Sequence, residues 1–171
     1  TAVVQELSSC REHFSRRERC LFCDLIRQEN RLRERICLEN EGFLAMAPFA
    51  AASPFETWVL PRDHCHDFTR ASSDDLRGLA EITRDLLRRT GSLLGDPSYN
   101  MVLHTAPNPH PRPGRPDYWT TIEHDYHWHL EFAPASNRLA GFEWGSGYSI
   151  NPVPPEEAAR LIRETKLDSA D

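Results

Sequence analysis

Hydrophobic and polar positions sort into several short alternating runs and one long helical stretch. Residues 35–40 (RICLEN) and 42–47 (GFLAMA) read as two strands around a tight turn. Residues 57–60 (TWVL), β-branched and aromatic and stopped by Pro61, read as a third. Over 73–94 the apolar residues Leu76, Leu79, Ile82, Leu86, Leu87 and Leu94 recur at helical spacing. Ser72 and Ser73 are candidate N-caps there. Asp74 and Asp75 suit the positive end of the helix dipole, and Gly95-Asp96-Pro97 stops the helix. Residues 99–104 (YNMVLH) and 126–132 (YHWHLEF) predict two more strands. Residues 155–166 predict a closing helix, with Pro155, Glu156 and Glu157 in its first turn. Ahead of the first strand, 8–19 is polar and basic-rich and reads as a helix or an arm, and 23–30 as a short helix. Pro107, Pro109, Pro111, Pro113 and Pro116 exclude regular structure between the last two strands. The order β-β-β-α-β-β-α predicts an α+β fold, an antiparallel sheet with a helix on one face.

Composition narrows this picture. The 171 residues make one domain, long enough to bury a core without disulfides. With 39% hydrophobic and 27% charged residues the chain is globular in character. A net charge of -6 argues against a bulk electrostatic grip on nucleic acid. No apolar run approaches a membrane span and no signal peptide precedes Thr1, which predicts a cytoplasmic protein. The start at Thr1 rather than Met leads us to expect a segment upstream. Lys166 is the single lysine, which leaves little room for a catalytic-lysine mechanism. Five cysteines are an odd count and a poor disulfide framework for such a chain.

Alternation over 126–132 places Tyr126, Trp128, Leu130 and Phe132 on one apolar face and His127, His129 and Glu131 on the other. The polar face needs an occupant: metal, anion or water. Cys20-Leu21-Phe22-Cys23 has the spacing of half a zinc site. Two histidines would complete a tetrahedral set, and the candidates are His64, His66, His104, His127 and His129. His124 is out of register with the histidine pair and reads as a loop residue.

At this point the motifs resemble a known family. Pro48-Phe49-Ala50-Ala51, Pro54-Phe55-Glu56-Thr57-Trp58, Pro61-Arg62-Asp63-His64, Tyr99-Asn100, His104-Thr105-Ala106-Pro107 and His127-Trp128-His129 resemble the second half of galactose-1-phosphate uridylyltransferases. The tail from Gly141 to Tyr148 (GFEWGSGY), with Ile150-Asn151-Pro152, is similar to that family and to its relative, ADP-glucose phosphorylase. The family belongs to the histidine-triad superfamily. The resemblance therefore implies an α+β half-barrel of antiparallel strands with a long helix packed on it. It divides the chain into an N-terminal arm or helix, 1–19, and a histidine-triad-like domain, 20–171.

The resemblance also implies roles. Cys20, Cys23, His64 and His127 match a structural zinc site. His104, His127 and His129 match histidines of an iron site in some relatives, whose carboxylate comes from the other half, so the two metals compete for His127. Zinc is preferred because both cysteines are present at the right spacing. His129 falls at the position of the histidine that becomes nucleotidylated in the catalytic half. The His-Pro-His and Gln of that half are missing here, and Glu131 stands where the Gln would donate to phosphate. Two like unit charges about 4 Å apart cost roughly 4 kcal/mol at an effective dielectric of 20, so Glu131 argues for a pseudo-active site. The tail implies substrate contacts through Phe142, Glu143, Gly145, Gly147 and Asn151, alongside Asn100 and Glu131, reaching a partner subunit of a homodimer. Glu143 would accept from sugar hydroxyls and Asn151 would donate to phosphate.

Three functions follow from this. The first is the zinc-binding, substrate-contacting C-terminal half of an enzyme that moves UMP between UDP-glucose and a hexose 1-phosphate, with a catalytic N-terminal half or second subunit as partner. The second is a stand-alone, inactive zinc module. The third is an ADP-glucose-type phosphorylase. In each the ligand is a nucleotide sugar or sugar phosphate.

Overall fold

The computed structural model describes residues 2–110, 113–114, 119–135 and 141–167. Among the described residues, five strands form one open, wholly antiparallel sheet in the order β1-β2-β3-β5-β4. The strands are β1 (Ile36–Glu39), β2 (Phe43–Met46), β3 (Thr57–Pro61), β4 (Tyr99–His104) and β5 (His129–Pro134). The helices are α1 (Ala2–Arg17), α2 (Leu21–Leu32), α3 (Ser73–Leu94), α4 (Ile122–Asp125), α5 (Gly141–Ser146) and α6 (Pro155–Glu164).

The predicted α+β class holds, and the sheet is covered on both faces rather than one. Strand alternation makes this possible. Phe43 and Ala45 of β2 pack with Ile82 and Leu86 of α3 and Ile162 of α6, whereas Leu44 and Met46 pack with Phe22 and Ile26 of α2 and with Cys10 of α1. Arg35 joins the layers at the β1 edge. Its guanidinium bonds Glu29 of α2 and Glu156 of α6.

Local chemistry sets the element ends. The Asn40 side chain accepts from the backbone N–H groups of Gly42 and Phe43 and closes the β1–β2 turn. Ser72 and Asp75 form a full capping box on α3, and Gly95, at φ 76°, ends it in the left-handed conformation. Gly78 lets α3 press on the hairpin. A Cβ there would sit 3.4 Å from the Phe43 ring, and its carbonyl accepts from Asn40 Nδ2 at 2.8 Å.

Several boundaries differ from the sequence reading. The N-terminal segment is helical from Ala2, well before residue 8, and Leu7 and Cys10 pack into the second core. β5 begins at His129, not at 126, because α4 occupies 122–125 and hands the chain over through Tyr126, His127 and Trp128. Tyr126 therefore leaves the face of Trp128, Leu130 and Phe132 and joins the opposite core. The Gly141–Ser146 stretch of the tail forms the short α5. Of the proline-rich loop, Pro111 and Pro116 lie outside the described residues.

β4 is an open sheet edge. Tyr99, Met101, Val102 and Leu103 are all exposed there, on both faces of the strand.

Candidate functional site

Two polar clusters lie side by side under α1 and α2. The first gathers Cys20, Cys23, His64 and His127, whose ligand atoms all lie within 4.8 Å of one another. Cys20 caps α2 and Cys23 sits in its first turn. His64 follows β3 and His127 precedes β5, and these strands are neighbours. Cys23 Sγ lies 3.4 Å from His64 Nδ1 and 3.6 Å from His127 Nδ1, and Cys20 Sγ lies 4.0 Å from His127 Nδ1. With Zn–S near 2.3 Å and Zn–N near 2.0–2.1 Å, tetrahedral ligand atoms stand roughly 3.3–3.8 Å apart.

The histidine tautomers fit a metal as well. His127 Nε2–H donates to the Pro61 carbonyl at 3.0 Å, and His64 Nε2–H donates to the Glu123 carbonyl at 2.9 Å. Both Nδ1 lone pairs are thereby turned toward the sulfurs, the outer-shell arrangement usual for metal-bound histidine. Two thiolates and two neutral imidazoles suit a soft or borderline divalent ion. Without metal the thiols behave as a pair. Cys23 is driven well below the thiol range, first by its hydrogen bond with Cys20 and then by His127 and His64, and Cys20 is driven above it. His127 is fully buried and His64 is exposed.

The second cluster gathers Glu6, His104 and His129. Glu6 Oε2 accepts from His104 Nδ1–H at 2.7 Å, and Glu6 Oε1 accepts from the Tyr126 hydroxyl at 2.6 Å. His104 Nε2 lies 3.3 Å from Glu131 Oε2. Burial raises Glu6, but hydrogen bonds from His104 and Tyr126 outweigh it and hold the carboxyl below the usual range. The Glu6 bond raises His104. His129 Nδ1–H donates to the His127 carbonyl at 3.1 Å, which leaves the Nε2 lone pair facing Glu6 Oε1 at 4.0 Å. Burial depresses His129 to about 4, so the ring is neutral, as a nitrogen nucleophile must be. The ring is also 1% exposed.

His127 and His129, expected on one face of one strand, thus enter different clusters. His127 Nδ1 faces the sulfurs, and Glu6 stands beside His104 and His129. His66 is buried outside both clusters, and His124 lies on α4, stacked 6.2 Å from Phe14. Glu131 is half-buried beside His104, and Asn100 is exposed on β4. In the tail, Phe142 is 61% exposed and Glu143 Oε1 accepts from the Ile150 N–H. Gly145 has open space around it and Gly147 sits at φ +73°. Asn151 gives its amide to the carbonyls of Ala51 and Ser53. Glu6 and Tyr126 were missed by sequence reasoning. Glu6 lies 98 positions from His104, and no local pattern marks it.

Residues 6–168 match the family model "Galactose-1-phosphate uridyl transferase, C-terminal domain". The chain belongs to this family. An ADP-glucose phosphorylase of Arabidopsis thaliana is 33% identical over 96% of this chain and 43% of its own length. The crystal structure of an ADP-glucose phosphorylase from that plant with bound ADP-glucose superposes with a TM-score of 0.81 at 30% identity, covering 96% of this chain and 49% of that one. A galactose-1-phosphate uridylyltransferase of Thermotoga maritima is 28% identical over 97% of this chain and 51% of its length. A zinc-bound histidine triad family protein of Mycobacterium smegmatis shares the fold, with a TM-score of 0.58 at 22% identity over 89% of this chain and 97% of that one. The chain spans about half the length of the curated relatives it matches. No helix among the described residues is long and apolar enough to cross a membrane.

Proposed function

We propose that this chain is the metal-binding, substrate-contacting C-terminal half of a cytoplasmic nucleotidyltransferase acting on nucleotide sugars and sugar phosphates. The reaction is UMP transfer between UDP-glucose and a hexose 1-phosphate. The covalent nucleotidyl-histidine forms on a partner half and not on His129. The observation that carries this division of labour is the position of His129 Nε2, buried under α1 and opposite the Glu6 carboxylate. Incoming phosphate would meet a negative charge at the one nitrogen able to attack it.

Cys20, Cys23, His64 and His127 hold zinc in a structural role, anchoring the start of α2 to β3 and β5. Iron is the alternative metal, and the two-histidine, one-carboxylate set of Glu6, His104 and His129 is the ligand type it takes. The open edge of β4 receives an antiparallel strand of the other half, which the half-length match to the relatives supports. The exposed α5 segment, with Phe142 and Trp144 outward, reaches the site of a second subunit in a homodimer. There Glu143, Gly145 and Gly147 line the sugar phosphate, with Asn100 and Glu131 nearby, while Asn151 braces the tail on residues 51–53.

A second reading changes the acceptor to inorganic phosphate. The 33% identity to the Arabidopsis ADP-glucose phosphorylase, against 28% to the Thermotoga uridylyltransferase, favours it. One set of assays decides between them. The protein together with its other half is supplied with UDP-glucose plus galactose 1-phosphate, or with ADP-glucose plus phosphate. UMP exchange supports the first reading, ADP release the second, and failure of both sinks the enzyme reading. Metal analysis tests the zinc assignment. We expect about one zinc per chain in this cluster, lost in Cys20→Ser. Metal held at a thousand times its dissociation constant adds about 4 kcal/mol, so chelation should lower the thermal midpoint by roughly 8–16 °C.

A further inference from the structure

Two of the four ligand atoms in the sulfur cluster are the sulfurs of free thiols three residues apart. Cys20 is the N-cap of α2 and Cys23 lies three residues on, in its first turn. Their Sγ atoms belong to the set whose members lie within 4.8 Å of one another. Cys-x-x-Cys at a helix N-terminus is the spacing that dithiol–disulfide couples use. Access is unequal. Cys20 is 5% exposed, but Cys23 is half-buried and His64 is exposed. Both cysteines line an open cleft of about 520 Å³ together with His64, His124, Arg19 and Arg27. The cleft reaches the pair on the side of Cys23, and Arg19 and Arg27, both paired with Asp24, stand at its mouth.

We propose that Cys20 and Cys23 form a reversible oxidation site, in which their disulfide and a bound metal exclude each other. The metal half of this statement rests on the zinc assignment above; the disulfide half does not. The oxidant is a hydroperoxide. Cys23 Sγ attacks the terminal peroxide oxygen and the O–O bond breaks. The departing oxygen takes a proton and leaves as water or an alcohol, and Cys23 becomes a sulfenic acid. Cys20 Sγ then attacks the Cys23 sulfur. The S–O bond breaks and the hydroxide takes a proton to leave as water. Two thiols are oxidised by two electrons and one peroxide bond is reduced. Neither sulfur of the disulfide carries the charge a metal needs, so two imidazoles remain and the ion departs. A dithiol reverses the step by exchange. Cys10 and Cys37 serve as internal controls, since both are buried and burial pushes each thiol up to about 12.

The test is peroxide titration of the zinc-loaded protein, followed by alkylation and tryptic mapping. Arg19 and Arg27 flank the pair, so both cysteines arrive on the single peptide 20–27. We expect that peptide to become lighter by two hydrogens and to resist alkylation. One zinc should be released per disulfide formed, and dithiothreitol should restore both thiols. Zinc release with peptide 20–27 fully alkylated overturns the proposal. So does oxygen added to Cys23 with no disulfide. The two assignments fail separately. A protein that binds no zinc but still forms the disulfide loses only the metal assignment. A zinc-loaded protein whose pair is inert to peroxide loses only the oxidation site. Because the mapping uses the unmutated chain, unfolding of a cysteine variant cannot imitate either result.

Discussion

The two clusters begin two residues apart on one stretch of chain, at His127 and His129, yet they are built on opposite logics. In the sulfur cluster both histidines spend their Nε2–H on backbone carbonyls, those of Pro61 and Glu123, and turn bare Nδ1 lone pairs toward two thiols. The backbone has prepared four electron-pair donors within 4.8 Å of one another, a set that a cation would complete. In the carboxylate cluster the donors and acceptors already match. Tyr126 and His104 donate to Glu6, His104 also meets Glu131, and His129 donates to a carbonyl. Protons do there what a metal would do next door. One histidine-rich sequence thus produces one site of converging lone pairs and another of matched donors and acceptors. The difference lies in what faces each ring, not in the rings.

Phe22 is the partition between them. Its ring lies 6.2 Å from His127 and 4.6 Å from His129, and it also packs on Trp58 and Tyr126. It is 2% exposed. Phe22→Ala removes the wall and leaves a cavity, at a cost of about 3–5 kcal/mol, or roughly 6–20 °C in thermal midpoint. Thermal unfolding checks this, and a metal-binding isotherm checks the comparison. We expect zinc affinity to fall although no ligand has changed, because the His127 ring loses the surface that orients it. An unchanged midpoint and isotherm would mean that the clusters are independent and the partition is incidental.

How much of this was legible in the sequence depends on the range of the interaction. The β1–β2 hairpin, α3 with its caps, and β4 could be read because Asn40, Ser72, Asp75 and Gly95 act within a few residues. Cys20 and Cys23 could be read because one helical turn fixes their relation. The start of β5 could not. Alternation over 126–132 is real as a pattern, but Thr121 to Asp125 close a helical turn first and carry Tyr126 to the opposite core. Glu6 had no local signal at all, since its partners lie on β4 and ahead of β5 and only α1 docking brings them together. The Cys20–Cys23 spacing supplied the sulfur ligands and the zinc expectation; the family resemblance picked His64 and His127 out of five candidate histidines, and it placed His127 between two metals. The fold assigns His127 to the sulfurs by aiming its Nδ1.

A smaller perturbation tests whether the carboxylate cluster is held by charge. Glu6→Gln keeps the shape of the side chain and removes the negative charge that His104 and Tyr126 donate to. Charge-assisted hydrogen bonds contribute about 1.5–3 kcal/mol, and the partial exposure of Glu6 puts the expected loss toward the lower end. Hydrogen exchange should show the amides of α1 opening faster while those of α3 keep their protection. Zinc stoichiometry at the sulfur cluster should not move. Loss of zinc in this variant would show that α1 supports both clusters, and the contrast between them would weaken.

The smallest effect is the pH dependence of α1 docking in the metal-free protein, and its sign differs by group. His104 has its pKa raised above the ordinary 6.5, so its contribution is complete below 6.5 and is lost as pH rises through the raised value. Glu6 is held below the ordinary 4.5, so its contribution is complete above 4.5 and is lost as pH falls through the lowered value. His129 adds to the acid side. Its pKa is depressed to about 4, so between 6.5 and about 4 the opened chain takes up a proton that the docked chain refuses. Acid therefore loosens α1 through His129 first and Glu6 next, and alkali loosens it through His104. Protection of the α1 amides, corrected for intrinsic exchange, should peak near pH 6.5 and fall on both sides. In Glu6→Gln the alkaline limb should flatten, because the carboxylate that raised His104 is gone, while the His129 limb should persist. A profile that rises steadily with pH would mean that the Glu6–His104 contact contributes nothing to holding α1, and that packing of Leu7 and Cys10, with the His13–Asp24 contact to α2, holds the helix.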